Sequence, residues 1–308
     1  MRIKLNAYGK INLFLNITGK TENGFHEIES IMQGIDLFDE VEIVAEKKKI
    51  EKTEIRLRTN DLSLPTDSGN LAVVAAERIL MGYEGEYNSF DIYIKKNLPV
   101  AAGLAGGTAD GAAVLLGINK LMGYKYTLKE LQKIGEDLGA DFPFSVSMNA
   151  YKNMDLIKGI RGLEGSYLTA IAKGIGDKLN QIESIPSYII LMNPNIFVST
   201  KEVYEGLDRM ETQIKYDLQE MLDYLKNKDY EKFFVNTKNI MEEFTLTEYK
   251  EAGEIKKWAD NNLNAVKVLM SGSGPTIVAY YLNPDEAKED FEKIKHVENK
   301  HLTITGIK

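Results

Sequence analysis

Residues 99–113 read Pro-Val-Ala-Ala-Gly-Leu-Ala-Gly-Gly-Thr-Ala-Asp-Gly-Ala-Ala, with four glycines, six alanines and no lysine or arginine. A segment this small and neutral serves as a flexible linker, a close-packed helix, or a loop whose backbone comes near a ligand. It follows Phe90–Ile94, which alternates apolar and polar residues like a half-buried strand, and runs into Ala112–Lys120, which has a helical pattern. A strand before and a helix after disfavour the linker. A phosphate site can be built at such a junction, because backbone N–H groups and the helix dipole favour an anion there. Glycine lets the anion approach with no Cβ in the way. Thr108 offers a hydroxyl, and Asp110 is expected in the first helical turn. No Gly-Lys-Ser/Thr follows, so this is not a Walker loop, and the spacing of Gly103, Gly106 and Gly107 is not that of the dinucleotide fingerprint. The residues alone leave phosphate binding and close helix packing open.

Outward from this segment, strand and helix patterns interleave. Strands are expected at Ile3–Ile17, Ile28–Ile35, Val41–Ala45 and Ile55–Arg58, with an Asn-Gly turn at Thr21–Gly24. Asn70 caps an expected helix over Leu71–Met81, and Thr127–Glu130 is a capping box for another ending near Leu138. Residues 147–166 show no firm period and read as a long loop or mixed excursion. Beyond them come a strand at Tyr188–Met192, a capping box at Ser199–Glu202, and helices over Ile214–Leu225, Tyr230–Glu243 and Ala252–Asn262. Strands at Val266–Met270 and Ile277–Tyr281 flank Ser-Gly-Ser-Gly-Pro (271–275), before a helix over Pro284–Ile294 and a strand at Leu302–Thr305. The interleaving predicts an α+β or α/β chain.

The 308 residues are 44% hydrophobic, enough for about two domains. A net charge of −8 argues against nucleic acid as a partner, which requires a basic face. With no cysteine, disulfides, thiolate metal sites and a cysteine nucleophile are excluded, in keeping with a reducing cytoplasm. No apolar run approaches the ~20 residues of a membrane span. The expectation is a cytoplasmic protein acting on a small molecule as a monomer or weak homodimer.

Three segments together resemble the GHMP small-molecule kinases: Pro99–Ala109 as their phosphate loop, Ala7–Leu15 as their N-terminal motif, and Met270–Thr276 as their C-terminal glycine motif. Further segments, Lys10–His26, Asn60–Thr66, Leu138–Phe144 and Val198–Tyr204, are similar to the branch of that family that acts on a cytidine-diphosphate form of methylerythritol. The resemblance spans almost the whole chain. It implies an α+β, two-domain GHMP-kinase-like fold, with a ribosomal-protein-like N-terminal domain over 1–158 and a ferredoxin-like C-terminal domain over 159–308. It implies ATP as phosphoryl donor, with Mg²⁺ carried mainly by the nucleotide and no dedicated metal ligands in the chain.

By the same resemblance, Asp141 is the base that accepts the substrate hydroxyl proton, and Lys10 is the catalytic lysine. Pro99, Gly103, Leu104, Ala105, Gly106, Gly107, Thr108 and Ala109 surround the ATP phosphates, and Asn70 lies on the nucleotide side. Phe25 and Tyr204 hold the pyrimidine, His26 reads its edge, and Asn12 and Thr200 face the substrate. Each has an ordinary alternative. Asp141 can stabilise a turn, Lys10 can be a solvated strand lysine, Asn70 a helix cap, and Tyr204 a helix-face residue.

The chain departs from the family pattern in two places. The usual loop, Gly-Leu-Gly-Gly-Gly-Ser-Ser-x-Ala-Ala, has Ala105, Thr108, Ala109 and Gly111 substituted here, and Ala105 is expected to need a negative φ. Residues 147–166 look inserted after Asp141, and the family's paired glycines are missing from the strand around 167–177. Another GHMP acceptor, or a non-catalytic nucleotide-binding relative, are the alternative readings.

Overall fold

The structure, a computed structural model, describes residues 1–50, 52–83, 85–210, 216–295 and 301–307, the last of these by backbone only. The chain forms two compact units: residues 1–9, 37–98 and 105–168 make unit 1, and residues 10–36, 99–104 and 169–308 make unit 2. This division is discontinuous, unlike a single cut after residue 158. Its cause is a long hairpin, β1 (Arg2–Lys20) and β2 (His26–Glu46), whose strands each contribute to both units. Buried positions alternate along residues 3–7 and 39–45 and are continuous along 9–16 and 30–35, so each strand keeps buried residues in both units. The two strands expected at 28–35 and 41–45 are thus one. The polar residues between them include Asp39, which is buried and paired rather than part of a turn.

In unit 1, β3 (Glu54–Thr59), α1 (Leu71–Leu80) and β4 (Ser89–Lys95) form a crossover in which β3 and β4 are parallel. β4 pairs antiparallel with Glu40–Glu46 of β2. α2 (Gly106–Leu121), α3 (Leu128–Glu136) and α4 (Phe142–Lys152) follow. One core joins Ile43, Ile92, Ile79, Leu116, Phe142 and Val146. Twelve of the sixteen α2 residues are buried, so α2 is a core helix with almost no solvent face. Its small residues set its neighbours' distances. A Cβ on Gly111 would lie 2.7 Å from the Phe142 ring, and one on Gly117 2.7 Å from Ile43.

The excursion expected over 147–166 is corrected. Its first residues continue α4, and two short 3₁₀ turns follow at Met154–Leu156 and Leu163–Gly165; Ile157 and Ile160 between them, and Leu163 at the start of the second, enter the core. α4 also satisfies the open edge of β1. Asn153 bonds the N–H and C=O of Asn6 at 3.1 and 2.9 Å, and Asn149 bonds those of Tyr8 at 2.7 and 3.4 Å. These amides are four residues apart on one helix face, so each mimics one rung of a neighbouring strand.

In unit 2, β5 (Thr169–Gly174) pairs antiparallel with Ile28–Gln33 of β2, and β6 (Lys178–Ile182) pairs with β5. A second sheet holds β7 (Ser187–Asn193), β8 (Lys267–Met270), β9 (Ile277–Tyr281) and β10 (His301–Ile307), antiparallel in the order β10–β7–β9–β8. Between β7 and β8 run α5 (Thr200–Arg209), α6 (Leu218–Lys226), α7 (Tyr230–Asn236), α8 (Glu242–Glu248) and α9 (Lys250–Asn262); α10 (Pro284–Ile294) joins β9 to β10. α9 and α10 pack on this sheet, completing the expected ferredoxin-like order. The helix expected over 230–243 breaks at 237–241. There the Thr237 hydroxyl donates to Leu13 O, and Asn239 Nδ2 donates to Met270 O and Gly272 O at 2.8 Å each. Such side-chain bonds compete with helix propagation. Residues 211–215, the start of the helix expected from Ile214, lie outside the described residues. Among the described residues, no helix is long and apolar enough to cross a membrane.

Helix propensity alone favours filling Gly111, but the Phe142 ring and the Leu71 carbonyl leave no room for a branched side chain. Gly111→Val should lower unfolding free energy by about 1–3 kcal/mol, measured by urea denaturation.

Candidate active site

The glycine segment combines both of its possible uses. From Ala109 onward it is core helix. Before α2 it is a loop with left-handed residues at Ala101 (φ 51°), Gly103 (φ 73°) and Ala105 (φ 56°). Ala105 therefore takes the conformation that the sequence reading held it had to avoid. An alanine there costs roughly 1–2 kcal/mol, and it persists because the chain must turn at Ala105 to enter α2. Alternating left-handed residues build the concave backbone of an anion nest. Ala105 occupies the α2 N-cap without a side-chain hydrogen bond, and the first inward N–H, that of Ala109, bonds Ala105 O at 2.8 Å. The N–H groups of Gly106, Gly107 and Thr108 precede that ladder, so the helix itself gives them no acceptor. Gly107 is exposed and Thr108 half-buried.

Two sequence expectations for this segment are corrected. Ala109 is fully buried with its N–H used, so no phosphate contact is open to it. Asp110 is not in the first turn; it is buried one turn further on and bonds Lys96.

Within unit 2, residues 99–104 are held by the C-terminal glycine motif. Ser271 Oγ donates to Gly103 O at 3.0 Å, and a Cβ on Gly103 would lie 2.1 Å from Ser271 O. Asn239 holds this motif through Met270 O and Gly272 O, and Thr245 through Ser273 O. The Lys10 N–H donates to Leu104 O at 3.0 Å, so β1 binds the loop at Lys10 itself. The Lys10 side chain is 5% exposed, and its Nζ donates to Asn12 Oδ1 at 2.7 Å. Asn12 Nδ2 in turn donates to Ser30 Oγ, which donates to Phe14 O. Asn12 is thus buried and holds Lys10. Leu15, further along the same edge, bonds Lys238 O and the Ile240 N–H.

Of the residues expected at the pyrimidine, His26 and Tyr204 come together and stack, with centroids 4.4 Å apart and planes at 15°. Phe25 is 62% exposed at the hairpin tip. Thr200 opens α5, and its hydroxyl bonds Ser273 Oγ at 2.9 Å, tying α5 to the glycine motif. Asp208, which the sequence reading did not single out, bonds His26 Nε2 at 2.8 Å and Lys20 Nζ at 2.7 Å. Burial opposes its charge, but the hydrogen bonds from Lys20 and His26 outweigh it and hold its pKa below the usual carboxylate range. An ionised carboxylate only accepts, so Nε2 carries the proton, and Nδ1 of a neutral ring is left as an acceptor. The signal was its spacing from Tyr204, four residues on along one face of α5.

In unit 1, Asp141 precedes α4 at its N-cap, yet its side chain makes no cap bond. Asn70 does cap α1, accepting from the Ala72 N–H, while its amide donates to Pro65 O. Among the described residues, no cluster of three or more His, Cys, Asp or Glu side chains is arranged to hold a metal. Pro99 is half-buried at the loop's start.

Gly103→Ala combines a left-handed φ with a collision against a backbone carbonyl. It should lower the melting temperature by several degrees, a loss of about 2 kcal/mol or more, read by calorimetry.

The sequence patterns of the GHMP kinases N terminal domain and GHMP kinases C terminal match residues 70–149 and 221–299. The chain is 37% identical to the 4-diphosphocytidyl-2-C-methyl-D-erythritol kinase of Clostridioides difficile, over 96% of this chain and 93% of that one. It is 35% identical to the enzyme of that name from Caldicellulosiruptor bescii, over 95% and 94%. A crystal structure of 4-(cytidine 5'-diphospho)-2C-methyl-D-erythritol kinase superposes with a TM-score of 0.74 at 24% identity, covering 99% of this chain and all of that one. A homoserine kinase from Cytophaga hutchinsonii, at 17% identity and TM-score 0.65, shares the fold. The chain belongs to the GHMP kinases and, within them, to the 4-diphosphocytidyl-2-C-methyl-D-erythritol kinase family.

Proposed function

We propose that this chain transfers the γ-phosphoryl group of ATP to the 2-hydroxyl of 4-diphosphocytidyl-2-C-methyl-D-erythritol. The observation that carries this reading is the attachment of the glycine loop, through Leu104 O, to the backbone of Lys10, whose ammonium is itself held by Asn12. Phosphoryl transfer is a matter of positioning and charge stabilisation, and this arrangement supplies a rigid amide-lined loop and a buried cation on one strand.

The glycine loop fits a polyphosphate. Its turn leaves no space for a Cβ at Gly103, its left-handed residues form a nest, and α2 opens without a side-chain cap. Gly103 to Thr108 would receive the phosphates, with the Thr108 hydroxyl available to a phosphate oxygen or to the nucleotide's metal. Mg²⁺ brought by ATP would neutralise phosphate charge. Asp141 takes the proton of the attacking hydroxyl, whose oxygen bonds the γ-phosphorus as the bond to ADP breaks. Lys10 stabilises the oxygen that reacts. His26, stacked on Tyr204, presents Nδ1 as an acceptor suited to the amino group of a cytosine, and Phe25 supplies an exposed ring beside it. In family terms the N-terminal domain would span 1–158 and the C-terminal domain 159–308, and a cysteine-free chain suits the cytoplasm.

The test is ADP release with ATP, Mg²⁺ and this cytidylyl alcohol. Asp141→Asn should lower kcat by about 100- to 10,000-fold, the usual contribution of a general base. Lys10→Met should lower it by about 100- to 1,000-fold. Faster turnover with homoserine or mevalonate would overturn the substrate assignment. Asp208→Asn should raise KM for the cytidylyl alcohol about tenfold while leaving KM for ATP unchanged, as expected for a group that orients a ligand-binding side chain.

A further inference from the structure

Lys96 follows β4 directly, and its side chain is only 7% exposed. Its Nζ bonds Asp39 Oδ2 and, at 2.8 Å, Asp110 Oδ2. The other oxygen of Asp39 accepts the N–H groups of Asn97 at 2.5 Å and Leu98 at 2.8 Å, the last two residues before Pro99. Asn60 adds a second hold, its Oδ1 accepting the Lys96 N–H at 2.7 Å. Asp110 lies on α2, five residues beyond Ala105, where the glycine loop ends. The cation lies beside the start of α2: a Cβ on Gly106 would be in ordinary contact with Lys96 Nζ, at 3.5 Å.

We infer that Lys96, Asp39 and Asp110 form a clamp that fixes both stems of the phosphate loop and so positions its amides for ATP. Asp39 holds the stem that leaves β4, Asp110 holds the stem that returns as α2, and Lys96 joins the two. The loop needs such a device because its own residues carry almost no polar side chains, and Ala101 and Ala105 sit in left-handed conformations that an unanchored chain would abandon. A stabilising role alone would be a poor reason for the arrangement. Three buried charges are costly, and apolar residues of similar size usually serve stability as well or better. Asp110 shows that cost: its Oδ1 is buried with no hydrogen-bond partner. Burial and the neighbouring Asp39 raise its pKa, while Lys96 draws it back. The three residues are positioning residues, since none is assigned a contact with substrate here. The inference rests on the reading of 99–108 as the ATP phosphate loop.

The test uses the full chain and variants Lys96→Met, Asp110→Asn and the double variant Lys96→Met/Asp110→Leu. Mg·ATP binding is measured by calorimetry, KM for each substrate by ADP release, stability by thermal unfolding, and loop mobility by hydrogen exchange without ligand. Lys96→Met should weaken ATP binding about tenfold, raise KM for ATP but not for the alcohol, and speed exchange across 97–108. The double variant removes the Asp110 charge and leaves Asp39 on the two backbone N–H groups it accepts, so it should recover part of the melting temperature that Lys96→Met loses while ATP binding stays weak. If the double variant recovers both together, or exchange across 97–108 is unchanged in Lys96→Met, the clamp is overturned and the cluster serves stability only. ATP binding by Asp110→Asn within twofold of wild type, with unchanged loop exchange, would remove Asp110 from it. If the unsubstituted chain binds no Mg·ATP, the functional reading fails first, and the clamp with it.

Discussion

Side-chain-free positions along α2 let a strand and two other helices approach it so closely that no Cβ fits between them, and most of unit 1 follows from that. Phe142 packs over Gly111, and Ile43 over Gly117. Close packing of this kind fixes distances to fractions of an ångström, because a packed interior has no slack to absorb a displacement. The same helix begins where the glycine loop ends. A rigid core helix thus determines where its first amides point, and those amides are the ones without acceptors. Catalysis by positioning needs that rigidity, since misplacement by about 1 Å can cost a hundredfold in rate.

The loop itself is more strained than a glycine-rich loop has to be. Two of its three left-handed residues are alanine. The strain is retained because neighbours restrain the chain on all sides: Ser271 at Gly103, Lys10 at Leu104, and Asp39 at the amides before Pro99. A loop held this way has its entropy removed before any nucleotide arrives, so little ordering is left to oppose binding.

Chemistry that is contiguous in the chain was legible in the sequence. The glycine segment, the helix caps at Asn70 and Thr127, and the order of strands and helices could all be read because hydrophobic period and cap residues are local signals. The start of α2 was placed six residues late, since Gly-Gly-Thr-Ala-Asp-Gly gives no helical period; burial by neighbours makes it helical. α4 was missed as a helix for a related reason. Its Asn149 and Asn153 look like loop residues until the backbone of β1 stands beside them. At the site, the residues that hold others in place were invisible. Ser30 behind Asn12 and Asp39 behind Lys96 lie far from their partners in sequence, with nothing local to mark them, and Asp208 behind His26 is marked only by its spacing from Tyr204. The reverse error was Ala109, whose motif position pointed to phosphate while its side chain faces the core.

Among the described residues, β2 is the one strand that pairs with β1, so the other margin of β1 is a potential template for a foreign chain. Along that margin Asn153 covers residue 6, Asn149 residue 8, Leu104 the amide of residue 10, Thr237 the carbonyl of residue 13, and Lys238 with Ile240 residue 15. Side-chain amides, a hydroxyl and single backbone groups share the task, and none belongs to another strand of the sheet. A nascent polypeptide or a second molecule therefore finds no ready ladder to extend, and the protein is guarded against runaway strand addition by the same contacts that seat Lys10.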